Sequence, residues 1–211
     1  MLFKRFKAGA AFLFALGLAS ALASGVAQAS PVVDTGTPSN AVGAGWAFNS
    51  AHSYAGQFSV LDALSIDTVQ GYFSTDAGMV GISLYSNAED GDGGFVPGSL
   101  LRSASLVTQA GALAWNGLSG LNWQIAQGSY WVVFSASWGT SSQASMPGSA
   151  PAPLDGYALM QGGQWYDAAD LELGQGLRVV AGAAAVPEPG SMALCGLGLA
   201  GVLLWRRRRP D

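Results

Sequence analysis

Between Trp46 and Ala181 the apolar residues fall at every second position, in short runs separated by turn residues. Tyr54, Gly56, Phe58 and Val60 alternate with Ala55, Gln57 and Ser59. Leu64, Ile66 and Thr68 alternate with Ser65 and Asp67, and the run continues from Val69 to Phe73 with a bulge expected near Gly71. Val80, Ile82 and Leu84 form a third set, and Leu100 to Val107 resumes the pattern. This is the period of strands, not of helices. Leu121, Trp123 and Ile125 face one way, Gln127-Gly128-Ser129 makes a turn, and Tyr130 to Trp138 follows as a strong strand. That pair predicts the best hairpin in the chain. Tyr130, Val132 and Phe134 share one face, while Trp131 and Val133 share the other, so this strand is expected to be central and covered on both sides. Shorter segments follow at Tyr157 to Met160 and Gln164 to Tyr166, and the last strand is Leu177 to Ala181. No convincing helix appears from Ser30 to Ala185. About nine to eleven short strands at this spacing predict an all-β fold, an antiparallel two-sheet sandwich that is jelly-roll-like, with a closed barrel as the alternative.

The two ends break the pattern. Met1 to Ala29 has the three parts of a secretory signal peptide: Lys4, Arg5 and Lys7, then the apolar Ala8 to Ala23, then Ala27-Gln28-Ala29 for cleavage. Residues 30–185 form the expected sandwich, opened by a Pro/Ser/Thr/Gly-rich extended lead-in from Pro31 to Asn40. Residues 186–211 begin Val186-Pro187-Glu188-Pro189, which two prolines hold extended and accessible. The apolar run Met192 to Trp205 would be about 21 Å long as a helix, against about 30 Å of hydrocarbon. Counting from Gly190, a transmembrane helix over 190–205 spans the bilayer marginally, with Arg206, Arg207, Arg208 and Arg209 as its cytoplasmic stop.

Charge narrows the function. With those ends set aside, Arg102 and Arg178 are the only basic residues, against eleven acids, and there is no lysine. Such a domain cannot neutralise phosphates, so nucleic-acid binding is excluded as a function class. The single cysteine, Cys195, lies in the C-terminal apolar run, which leaves the exported domain without thiol, disulfide or cysteine metal site.

Candidate chemistry is sparse. His52 is the only histidine, and no G-x-S-x-G elbow accompanies it, because Gly117-Leu118-Ser119-Gly120 is one residue short. Asn87, Glu89, Asp90 and Asp92 in an acidic glycine-rich loop, Asn87 to Gly98, offer oxygen ligands of the kind calcium takes, but in the wrong order for the twelve-residue calcium loop. Apart from calcium no cofactor or metal is expected. Asp155, Asp167, Asp170 and Glu172 lie near strand ends and are the acids a secreted glycan hydrolase would use. Among the tryptophans, Trp123 and Trp131 read as core, while Trp138 and Trp165 sit beside polar loops and are the candidates for glycan contact. No constellation identifies a reaction, so the expected function is not enzymatic.

The proline-glutamate-proline box, the short glycine- and leucine-rich span and the terminal arginine cluster, in that order, closely resemble the PEP-CTERM sorting signal. The resemblance implies recognition and cutting by exosortase, a membrane transpeptidase-like protease, with Pro187, Glu188 and Pro189 as the recognition box. It implies passage through the secretion machinery, transient anchoring in the membrane, and release to the cell surface or an exopolysaccharide or biofilm matrix. The exported domain is also loosely similar to strand-rich domains carried by such proteins, in Trp115-Asn116-Gly117-Leu118, Leu121-Asn122-Trp123 and Gly128-Ser129-Tyr130-Trp131-Val132. The function expected on these grounds is structural or adhesive, with glycan binding as the alternative and hydrolysis third.

Overall fold

The period-two runs fold as strands wherever the chain is described, and every strand pair is antiparallel. The computed structural model describes residues 29–38, 46–49, 51–136, 144–146, 154–168 and 175–183, all within one compact unit, Ala29–Ala184. In chain order the strands are β1 (Pro31–Asp34), β2 (Trp46–Phe48), β3 (His52–Val60) and β4 (Leu64–Thr75). Then come β5 (Gly78–Glu89), β6 (Phe95–Thr108), β7 (Gly111–Leu118), β8 (Trp123–Ile125) and β9 (Gly128–Ala136). The last are β10 (Ala144–Met146), β11 (Gly156–Gln161), β12 (Gln164–Asp167) and β13 (Leu177–Ala181). The described residues contain no helix. The signal peptide and the C-terminal helix expected over 190–205 lie outside them.

One sheet is ordered β1-β13-β4-β10-β2, with β7 and β8 also on β4; the other is β12-β11-β3-β9-β5-β6. The main core lies between them. Ile66, Val69, Phe73, Trp123, Leu177 and Val179 enter from the first sheet, and Phe58, Ile82, Leu84, Val132 and Phe134 from the second. Phe73 is its pivot, edge-on to Phe48 at 5.3 Å and to Phe134 at 5.6 Å. Tyr54 joins this core from β3, and burial pushes its phenol pKa up.

Four local expectations need correction. The Pro31–Asp34 lead-in is a sheet strand, because its backbone pairs with β13. The bulge is not at Gly71, which pairs in regular register with both Leu177 and Asn116; the register slips instead between Ile66 and Thr68 and between Phe73 and Thr75. Gly71 serves close approach: a Cβ there would lie 2.8 Å from both Phe134 Cζ and Phe73 Cε1. The acidic loop is shorter than expected, since Asn87 to Glu89 and Phe95 to Pro97 are paired in β5 and β6.

The fourth correction concerns the predicted hairpin. Trp123 and Ile125 pair with β4 in the first sheet, whereas β9 pairs with β3 and β5 in the second. Alternation fixes which side chains are buried and says nothing of which strand is the neighbour. The Gln127-Gly128-Ser129 segment therefore crosses between sheets, with Gly128 at φ 152° and the Tyr130 hydroxyl donating to Ala126 O at 3.0 Å. A tight hairpin does join β11 to β12, through Gly162 and Gly163 at φ 63° and 85°, the left-handed pair that a two-residue turn favours.

Strand β9 is covered twice, as its pattern demands. Val132 and Phe134 face the main core, while Trp131 and Val133 join Ala55 and Ala158 in a second cluster on the outer side of the six-stranded sheet. The β5–β6 hairpin supplies cover. Its register slips on both sides of Tyr85, placing extra residues on β6 near Leu101 and Gly98, and its distal arm reaches β11 and β12. Asn87 on this arm accepts from Trp131 Nε1 at 2.8 Å and from Gln57 Nε2 at 2.7 Å, so one carbonyl oxygen satisfies two donors of the covered face.

A second device holds the sandwich corner. Asp76-Ala77 carries the chain from β4 across to β5, and Gln109-Ala110 carries it back from β6 to β7. Thr75 Oγ1 donates to Gln109 O at 2.5 Å and Thr108 Oγ1 donates to Asp76 O at 2.7 Å, with both threonines buried. Each crossover thus caps the other's carbonyl.

Replacing Asn87 by alanine strands two donors under the arm and should lower unfolding free energy by about 1–3 kcal/mol in denaturant titration. Thr75→Val or Thr108→Val should each cost about 1 kcal/mol, seen as a lower thermal midpoint, whereas Ser119→Ala in the exposed loop after β7 should leave it nearly unchanged.

Candidate functional site

The residues of the sorting signal, Pro187, Glu188, Pro189 and Arg206 to Arg209, lie outside the described residues, as do Trp138, Asp170 and Glu172. The remaining candidates can be placed. His52 is half-buried at the start of β3, with Nδ1 3.3 Å from Asn49 Oδ1. That oxygen also accepts from Ala51 N at 2.8 Å and His52 N at 3.1 Å, so Asn49 closes the turn from β2 and the imidazole is tied to it. No hydroxyl nucleophile or carboxylate hydrogen-bonds His52 among the described residues.

The acids separate into distinct settings. Glu89 ends β5 opposite Phe95, and Asp92 is exposed at the loop tip. Asp90 Oδ1 accepts from Asp92 N at 2.9 Å and Gly94 N at 3.0 Å, which folds the loop around its carboxylate while Gly91 and Gly93 take φ 96° and 92°. Its other oxygen borders a glycine that a distant acid also borders, which sequence spacing did not suggest. A Cβ on Gly94 would lie 2.6 Å from Asp90 Oδ2 and 2.7 Å from Asp167 Oδ2, so the two carboxylates flank one glycine where the arm tip reaches β12. The described residues hold no group of three or more His, Cys, Asp or Glu side chains placed to bind a metal. Asp155 is exposed before β11, its amide bonded to Gln57 O at 3.1 Å.

Trp165 lies half-buried on β12, 6.2 Å from Tyr85 with the rings at 70°. The pair sits on the outer face of the six-stranded sheet, beside the Trp131 cluster. Trp123 and Trp131 are buried, as their alternation predicted.

A second polar–aromatic group escaped the sequence reading. On the outer face of the other sheet, the Arg178 guanidinium stands 3.9 Å over the Trp115 ring while its Nε reaches both oxygens of Asp34 at 3.0 Å. Tyr72 meets Trp115 edge-on at 5.4 Å, and Trp115 Nε1 donates to Thr37 Oγ1 at 3.3 Å. These side chains tie β1, β13, β4 and β7 together across one face. The available signal was Arg178 itself, one of two cations in an acidic domain, but its partners are far away in sequence.

Comparison with known proteins adds one specific match. The chain is similar to two solved structures, each at 14% identity. The first, the cysteine protease and lectin-like domains of Cwp84, a surface layer associated protein of Clostridium difficile, gives a TM-score of 0.45 over 64% of this chain and 33% of that one. The second, a structure of infectious bursal disease virus Gx strain, gives 0.25 over 76% and 37%. The chain thus spans about a third of the length of each, and neither likeness bears on what it does. No curated protein matches it. Residues 185–209, in contrast, match the family described as the PEP-CTERM protein-sorting motif. The chain carries a PEP-CTERM sorting motif at its C-terminal end, and that motif implies exosortase-dependent sorting to the cell surface.

Proposed function

We propose that the exported domain is a non-enzymatic structural or adhesive component of the cell surface or of an exopolysaccharide matrix. The sorting motif carries this reading. The protein enters the secretion machinery by its N-terminal signal and is held briefly in the inner membrane by the apolar run before the arginines. Exosortase then recognises the Pro187-Glu188-Pro189 box and cuts the tail. The state of the domain's polar groups supports a structural role: Asn49, Asn87, Asp90, Thr75 and Thr108 are each spent on closing a turn, a cover or a crossover. An acidic, lysine-free surface suits a protein that stays soluble among anionic polymers.

A glycan-binding role is the second reading, favoured by Trp165 and Tyr85 standing together half-exposed on an outer sheet face. Aromatic faces of this kind stack on sugar rings, and neighbouring hydroxyls such as Ser83 and Ser103, themselves paired at 3.1 Å, offer hydrogen bonds.

Deleting Pro187 to Pro189 should hold the protein in the inner membrane of a host that makes exosortase, as cell fractionation would show; unchanged release would sink the sorting role of the box. For the second reading, Trp165→Ala should weaken retention on a glycan array by about tenfold, the loss of about 1.4 kcal/mol of stacking. No binding of the unaltered protein to any glycan would remove that reading and leave the first intact.

A further inference from the structure

We propose that the free edge of β6 is a self-association surface, on which a second copy of this chain pairs antiparallel so that the two six-stranded sheets join edge to edge. Among the described residues, strand β6 ends its sheet and hydrogen-bonds β5 on one side only. Its first half is guarded: Pro97 and the two register slips around Tyr85 bend the strand, which are devices that keep edges from pairing. Its second half is not. Arg102 to Thr108 pairs residue by residue with Leu84 to Gly78 without interruption, giving a regular seven-residue run whose outer edge no described strand pairs.

Charge selects the occupant. No acid lies between Asp92 and Asp155, and Arg102 is the only charged residue in that interval. The domain is otherwise acidic, so two copies repel over most of their surface, whereas this run itself brings no acid to the seam. The run is also complementary to itself. Antiparallel pairing about a two-fold axis at Ser105 uses all of it, setting Ser105 against Ser105, Ala104 against Leu106, Ser103 against Val107 and Arg102 against Thr108. The two arginines then stand about 20 Å apart along the strands.

The register also covers what β6 leaves bare. Val107 is 74% exposed. An open groove of about 420 Å³ lies between the edges of β6 and β7, lined by Leu106, Val107, Gln109, Ala112 and Leu113 among others. At the end of the run Arg102 of the second copy lies opposite Thr108, which lines that groove, and the two-fold axis repeats the contact on the other side. Such an isologous contact closes at two copies and leaves no edge of β6 for a third. The reading goes beyond surface delivery, because a pair presents two sandwiches to one matrix and gains avidity.

The test uses the full-length chain in detergent, with Cys195→Ser so that a single introduced cysteine reports. In Ser105→Cys the two sulfur-bearing positions face each other across the axis with Cβ atoms about 4.5–5.5 Å apart, close enough for a disulfide. Leu61→Cys, at an 82% exposed turn position between β3 and β4, is the control. Under mild oxidation the Ser105→Cys chain should form a covalent dimer at least about tenfold faster than the control, because pairing raises the local thiol concentration. Equal rates, or a disulfide to a different protein, would overturn the proposal. A second pair of variants checks the register. Adding Ser103→Lys with Val107→Lys opposes like charges twice and should abolish the fast cross-link, whereas Ser103→Glu with Val107→Lys opposes unlike charges and should restore it. Identical behaviour of the two would also overturn it.

Discussion

A central strand with large side chains on both faces has to be covered twice, and the rest of this domain is arranged around meeting that demand for β9. Val132 and Phe134 find their cover in the other sheet, in the usual way of a sandwich. Trp131 and Val133 need cover on the side where a sandwich ordinarily meets water. The long β5–β6 hairpin provides it by bending at its register slips and lying against β11 and β12. Hydrophobic burial alone would leave the indole N–H of Trp131 without a partner, at a cost comparable to a lost hydrogen bond. Asn87 removes that cost and satisfies Gln57 with the same oxygen. The arm is therefore part of the core, although its tip reads as a solvated acidic loop.

The same bend has consequences at the surface. It carries Gly94 up to Asp167 and brings Trp165 to Tyr85, two juxtapositions of the outer face that no local pattern contains. It also divides β6 into a bent, guarded half and a regular half whose outer edge no described strand pairs. On the opposite sheet, Asp34, Arg178, Trp115 and Tyr72 form a comparable tie across four strands. Being half-exposed, the ion pair contributes through geometry more than through charge.

Address and activity are written differently in this chain. The sorting motif works as a linear segment, so order and spacing are enough to recognise it. A binding surface depends on which strands are neighbours. Trp165 could be named as a candidate from its place beside a polar turn, whereas Tyr85, its ring partner, lies on a strand far away in sequence. Asp90 was legible as an acid in a glycine-rich loop; that Asp167 faces the same glycine was not. The Trp115–Arg178 contact was invisible for the same reason.

From the sequence alone came the all-β class, the two buried faces of β9, the position of β13, and the sorting signal. All of these depend on residues near one another in the chain, through the pleat's period of two or the chemistry of prolines and arginines. Tertiary structure alone decided the pairing partners: that Trp123 and Val132, only a turn apart, belong to different sheets, that Gly71 admits Phe134 where a bulge was expected, and that Thr75 and Thr108 lock two crossovers. Alternation reports which side of a strand is buried and is silent about what buries it, because any strand of suitable pattern can dock on any open edge until the whole set is closed.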